Sequence, residues 1–234
     1  MTVRFDTARF LRVLIGAFLF LTAAYAATVY AKLVLGRGEL WGLTRIFDMD
    51  QEATAPAWFE SCLFLITAAL LALIGHLSKT ASPKGSAHWG FLSWVFVYLS
   101  LDEMISIHEL LNRPVRQLLG ITSGPLYYAW VIPGMVIVLA LAAYCWRFLL
   151  SLPRAYLFRF TIAAAVFNVG AMGMELAGAD LKSSFGKTHP YYLISVGLEE
   201  ALEMAGVLIF IAALLDWLKE FGNITAWEWT RGND

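Results

Sequence analysis

The sequence predicts an all-α fold, a bundle of six transmembrane helices in a polytopic integral membrane protein. Two observations support this fold class. The 234 residues are 59% hydrophobic and 15% charged, with a mean hydropathy of +0.66, whereas about a quarter of the residues in a soluble domain are charged. In addition, six stretches of the chain contain the roughly 20 predominantly apolar residues that a membrane-spanning helix requires.

The six predicted spans account for most of the chain and leave only short connections. In chain order they cover residues 13–31, 57–75, 91–111, 126–146, 156–178 and 191–217. We therefore expect a single transmembrane helical-bundle domain over residues 1–234, without a separate soluble domain.

The first span shares features with a secretory signal, because Arg4, Arg9 and Arg12 precede an apolar run that contains Ala24-Tyr25-Ala26. That apolar run has about 19 residues, whereas the apolar core of a signal peptide usually has about 7 to 15. We interpret the segment as a retained helix.

The distribution of basic residues predicts the orientation of the bundle. Of the 17 Lys and Arg residues, ten fall on the side of the N-terminus and seven on the other side, and Lys and Arg are enriched in cytoplasmic loops. Tryptophans near both ends of the spans are typical of the aromatic belts at membrane interfaces. We expect an inner (plasma or cytoplasmic) membrane location, with both termini cytoplasmic.

Acidic residues and a histidine interrupt the predicted spans. The third span contains the segment SLDEMISIHELL and the sixth contains GLEEALEMAGVL, while Glu60 lies near the start of the second span and Glu175 near the end of the fifth. At about 100° per residue, Asp102 and Glu109 share a helical face with Ser106. In the sixth span, Glu199 and Glu203 also share a helical face, because they are i, i+4 neighbours.

Charges at these depths need compensation. Each central charge costs about 2.5 to 3.5 kcal/mol on an insertion scale, and no Lys or Arg lies in the middle of any predicted span. Protonation, water or a bound cation could compensate. Neutral acids that hydrogen-bond neighbouring helices are a structural alternative.

Carboxylates combined with imidazole favour a divalent metal site. Bundles that hold two metals typically use four carboxylates and two histidines. The spacing here is not that of the known bundle motif, because Glu103 and His108 are separated by five residues rather than three. We expect one or more divalent ions, with iron, zinc and manganese as candidates. The predicted metal ligands are Asp102, His108, Glu109, Glu175, His189, Glu199 and Glu203.

Glu103 and Glu200 point away from the shared faces and are the predicted general bases. The leading hypothesis is a membrane-embedded metalloenzyme, a hydrolase or an oxidoreductase, that acts on a lipid or lipid-like substrate. A cation or proton transporter or channel is the first alternative, and an accessory or sensory subunit of a membrane complex is the second. We expect membrane lipids as partners and no nucleic acid.

Overall fold

The described part of the chain is almost entirely helical. The computed structural model describes residues 3–4, 6–39, 41–79, 83–221 and 228–229. The α-helices are α1 (Thr7–Leu33), α2 (Leu43–Ile46), α3 (Ala55–Leu77), α4 (Pro83–Ile105), α5 (Asn112–Leu119), α6 (Val131–Ser151), α7 (Arg154–Asn168), α8 (Glu175–Phe185) and α9 (Pro190–Phe221).

Five helices are long and apolar enough to cross a membrane, which agrees with the predicted fold class. They are α1, α3, α6, the continuous α7–α8 segment and α9. A sixth crossing requires α4 and the segment after it to act as one span, although the two are bent by 75°. The described residues therefore contain five such helices, or six if the bent pair is counted.

The third helix ends earlier than predicted. We expected a continuous helix over 91–111, but α4 ends at Ile105 and a 3₁₀ turn follows at His108–Leu111. Ser106, at the break, has a φ of +49°. The Asp102 side chain accepts a hydrogen bond of 2.8 Å from the backbone amide of His108, and this bond competes with continuation of the helix. The predicted common face of Asp102, Ser106 and Glu109 is therefore wrong.

The next two helices also differ from the prediction. Helix α6 begins at Val131 rather than at 126, after a 3₁₀ turn at Pro125–Tyr127. Between α7 and α8, residues Val169–Met174 form a π-helix. Periodicity in the sequence does not distinguish such a segment from an α-helix.

Helix α9 packs against α1, α3 and α7 and is the central element of the bundle. Two of its glycines permit close approach. A Cβ atom at Gly197 would lie 2.7 Å from Cε1 of Tyr25, and one at Gly206 would lie 2.7 Å from the backbone nitrogen of Phe167. The hydroxyl of Tyr25 also donates a hydrogen bond of 2.8 Å to the carbonyl of Leu193. These contacts fix α1 and α7 beside the acidic part of α9.

The two ends of the described chain meet. Strand β1 (Val3–Arg4) pairs antiparallel with β2 (Glu228–Trp229). The predicted location of both termini in the cytoplasm also concerns residues 1–2 and 230–234, which lie outside the described residues.

Candidate metal centre

An acidic cavity lies at one end of the bundle, between the loop before α3, the end of α4 and the first turns of α9. Its volume is about 120 Å³. It is lined by Met49, Asp50, Gln51, Glu52, Ala57, Glu103, His108, Glu109, Tyr128, Glu175, Gly178, Tyr192, Val196 and Glu199.

Three carboxyl groups from three different helices meet at this end of the bundle. Glu60 comes from α3, Glu103 from α4 and Glu200 from α9. One carboxylate oxygen of each lies within 4.8 Å of those of the other two. We call these residues the glutamate triad. Carboxylate oxygens at such separations are suited to share one cation.

Glu60 is the most enclosed member of the triad. Its side chain is 0% exposed, and neither carboxylate oxygen has a hydrogen-bond donor among the described residues. The groups that it faces are two other carboxyls, those of Glu103 and Glu200, within 4.8 Å. A buried polar group without a partner is destabilising. A bound ligand or a proton on the carboxyl of Glu60 would remove this cost.

Local contacts explain how α3 and α4 bring Glu60 to Glu103. Ser61, the residue after Glu60, donates a hydrogen bond of 2.9 Å to the carbonyl of Ser100, and their hydroxyl oxygens are 2.8 Å apart. Ser100 precedes Glu103 by three residues, nearly one helical turn. The two serines thus fix the register of the two acidic turns.

Glu175 and Glu199 form a second pair of neighbouring carboxyls, and both line the cavity. Glu175 also accepts a hydrogen bond of 2.7 Å from Nε1 of Trp130. The π-helix ends immediately before Glu175, and such segments are frequent at functional sites. A Cβ atom at Gly170, within the π-helix, would lie 2.8 Å from Cγ of Glu203.

His108 is held by two groups. Oδ2 of Asp102 lies 2.8 Å from its Nδ1, and its ring centroid lies 4.4 Å from that of Trp130. A carboxylate bonded to one ring nitrogen orients the other nitrogen for a metal ligand. Asp102 is therefore placed to position His108, since each of its oxygens already contacts that residue.

The structure brings most of the predicted site residues together. Glu103, His108, Glu109, Glu175 and Glu199 line the cavity. Asp102 is hydrogen-bonded to His108, which lines the cavity, and Glu200 belongs to the triad. Glu203 lies beside Gly170, near the charges of Glu200 and Glu103.

His189 is placed differently from the other predicted ligands. It lies in the turn before α9 and does not line the acidic cavity. Its ring stacks on Phe185 with the centroids 4.7 Å apart, and its Nδ1 accepts a hydrogen bond of 3.3 Å from the amide of Tyr191.

A polar network braces the mouth of the cavity. Tyr192 donates a hydrogen bond of 2.5 Å to Asp50, which also contacts Lys187 at 3.1 Å. Lys182 donates to the hydroxyl of Tyr128 at 2.7 Å. Burial raises the pKa of Tyr128, so its hydroxyl is protonated near neutral pH. The network ties the loop before α3 to α9.

Two residues of the site, Glu60 and Trp130, were not among the site residues predicted from the sequence. Glu60 was visible as an acid in an otherwise apolar span with no base nearby, but its partners are more than 40 residues away along the chain. Trp130 carries no sequence signal of its own, because a tryptophan near the end of a span is typical of an aromatic belt.

A family model described as "Domain of unknown function (DUF8692)" matches residues 13–218. No curated protein and no solved structure matches the chain. The matched region spans α1 to α9 and includes every residue of the acidic cavity and the triad. The chain therefore belongs to the DUF8692 family.

Proposed function

We propose that this protein is a membrane-spanning bundle that binds a divalent metal ion at the glutamate triad and acts as a metal-dependent enzyme on a lipid-like substrate. The observation that carries the proposal is Glu60, a fully enclosed carboxyl that has no donor among the described residues and faces two other carboxyls.

The surface of the bundle supports insertion into a membrane. Large apolar side chains are exposed on several helices, among them Phe20 on α1, Trp94 on α4, Val136 on α6 and Phe158 on α7. Apolar faces on this scale are unfavourable in water and favourable in lipid.

The pairing of β1 with β2 favours an even number of crossings, because it brings both ends of the chain to one side. Six crossings, with the bent α4 segment as the third, satisfy this condition. The excess of Lys and Arg on the side of the termini supports a cytoplasmic location for both, which would put the acidic cavity on the opposite side of the membrane.

A cation explains the acidic cluster better than hydrogen-bonded structural carboxyls do. Within the described residues, no Lys or Arg forms an ion pair with Glu60, Glu103, Glu175, Glu199, Glu200 or Glu203. Purely structural carboxyls would be expected to have donors, whereas Glu60 has none among the described residues. The oxygen donors together with His108 fit iron, manganese or zinc.

The triad would hold the ion, and His108, Glu175 and Glu199, which line the cavity together with Glu103, would complete a first or second binding position. A bound metal would polarise a substrate oxygen or lower the pKa of a water molecule. Trp130 would fix the orientation of Glu175, and Asp102 that of His108. Glu103 and Glu200 then serve as ligands, so the general base that we expected from them would have to be another carboxyl, such as Glu109.

Elemental analysis of purified protein tests the proposal. Glu60→Gln keeps the volume of the side chain and removes its charge, so bound metal should fall to a small fraction of the wild-type content. Glu39→Gln changes an exposed carboxyl in the loop after α1 and should leave the content unchanged. Equal metal content in the wild type and Glu60→Gln would contradict the proposal.

A melting experiment separates loss of metal from loss of fold. A chelator should lower the melting temperature of the wild type, because the uncompensated carboxyls of the triad then repel one another. Glu60→Gln should melt at the same temperature with and without the chelator. Lipid extracts incubated with each protein and compared by mass spectrometry then test for turnover, which only the metal-loaded wild type should support.

A further inference from the structure

A second, larger cleft lies at the end of the bundle opposite the acidic cavity. Its volume is about 840 Å³, within the range of about 300 to 1,000 Å³ typical of small-molecule sites. The residues around it belong to the last turns of α3, α6 and α9 and the first turns of α4. In the six-span arrangement these turns lie at the cytoplasmic interface of the membrane.

The walls of the cleft are aromatic and apolar. Trp89 and Phe148 lie at its base and are 2% and 7% exposed, with ring centroids 5.0 Å apart. Trp217 packs on Trp89, with their ring centroids 5.3 Å apart. Tyr144 and Trp146, both exposed, lie on the rim. Such a surface accepts an apolar chain, and exposed Tyr and Trp at a membrane interface contact lipid headgroups.

The charge around the cleft is of one sign. Among the residues that the structure describes, Arg147 is the one Lys or Arg that lines it, and no Asp or Glu does. Arg147 forms no ion pair within the described part of the chain, and its side chain is exposed. A guanidinium without a carboxylate partner is a donor suited to phosphate.

We propose that this cleft binds an anionic phospholipid, with its phosphate on Arg147 and an acyl chain between α4, α6 and α9. Such a lipid matches the two features of the described cleft, because its acyl chain fits the apolar interior and its phosphate fits the guanidinium of Arg147 on the rim. The proposal rests on the membrane-spanning part of the proposed function and is independent of the metal. Variants of Arg147 should therefore contain the same amount of metal as the wild type.

Native mass spectrometry of the full chain in detergent, titrated with phosphatidylglycerol or phosphatidylcholine, tests the proposal. Both headgroups contain a phosphate that Arg147 can bind, but the quaternary ammonium of phosphatidylcholine cancels the phosphate charge and is repelled by the guanidinium. The wild type should therefore bind phosphatidylglycerol about tenfold more tightly. Arg147→Gln should abolish this preference. Arg154→Gln, which changes an exposed arginine at the start of α7 that does not line the cleft, should retain it.

Ala143→Trp tests the location of the lipid, because Ala143 lines the cleft and an indole there would occupy the space of the acyl chain. This variant should bind both lipids more weakly. Equal affinity of the wild type for the two lipids, a preference that survives Arg147→Gln, or unchanged binding by Ala143→Trp would each overturn the proposal. The proposal would also be overturned if the wild type formed a dimer that excluded lipid from the cleft and if Ala143→Trp dissociated that dimer.

Discussion

Asp102 contacts His108 through both of its carboxylate oxygens, one on the backbone amide and one on the imidazole. Asp102→Asn keeps the size of the side chain but removes the charge that orients the ring. If His108 is a ligand, metal affinity should fall about 10- to 100-fold, as is typical when such a supporting residue is lost.

Competition titration with a metal indicator measures this affinity. Asp180→Asn, an exposed change on α8, is the matched control and should bind as the wild type does. Wild-type affinity in Asp102→Asn would show that the His108 imidazole needs no anionic partner, or that it does not bind the metal.

The sequence predicts which residue types form the site, but it does not predict which of these residues lie together. Glu103 and Glu200 were assigned together as bases because both point away from the predicted faces, and the structure does place them together, in the triad. Glu60 joins them only through tertiary packing of α3 on α4 and α9. Helical periodicity relates residues within one helix, so it could not identify a contact between three helices.

Among the elements, the π-helix before Glu175 gives the most direct prediction. Gly170→Ala would place a methyl group 2.8 Å from Cγ of Glu203 and 2.9 Å from the carbonyl oxygen of Glu199. We expect this overpacking to destabilise the protein by about 1 to 3 kcal/mol, which thermal melting would detect.

Gly173→Ala lies in the same π-helix and serves as its control. A Cβ atom at Gly173 would meet a single atom within contact distance, Cγ1 of Val169 at 3.8 Å, so little change in melting temperature is expected. If both substitutions had the same effect, backbone conformation rather than contact with α9 would explain the need for glycine.

The elements also show where hydropathy succeeds and where it fails. It located the five helices that are long and apolar enough to cross a membrane. The bounds of α1, α3 and α9 extend the predicted spans by one to six residues at each end. It did not detect the end of α4 at Ile105, because Ile107, Leu110 and Leu111 continue the apolar pattern beyond the break. At the break the side chain of Asp102 accepts a hydrogen bond from the amide of His108, a local contact that composition does not record.

For the whole molecule, the orientation of the bundle is the property most open to test. Native cysteines at 62 and 145 are free, so a Cys62→Ala, Cys145→Ala background is needed. In that background Ser123→Cys, between α5 and α6, should react with a membrane-impermeant maleimide applied to intact cells. Lys79→Cys, at the end of α3, should react only after the cells are opened.

Both positions are exposed, so a lack of reaction reports the membrane barrier rather than burial. Labelling of Lys79→Cys alone in intact cells would reverse the orientation and place the acidic cavity on the cytoplasmic side. Labelling of both in intact cells would show that α4 and the bent segment after it do not cross the membrane, which would leave five crossings instead of six.

The glutamate triad also has a consequence for biosynthesis. Glu60 and Glu103 lie on two consecutive helices, but Glu200 lies on α9, the last long helix of the described chain. The ribosome therefore synthesises Glu60 and Glu103 long before Glu200. In the proposed membrane-spanning arrangement, α3 and α4 would expose an incomplete acidic surface to lipid until α9 is inserted. We therefore expect membrane quality control to degrade a nascent chain that stops before residue 190.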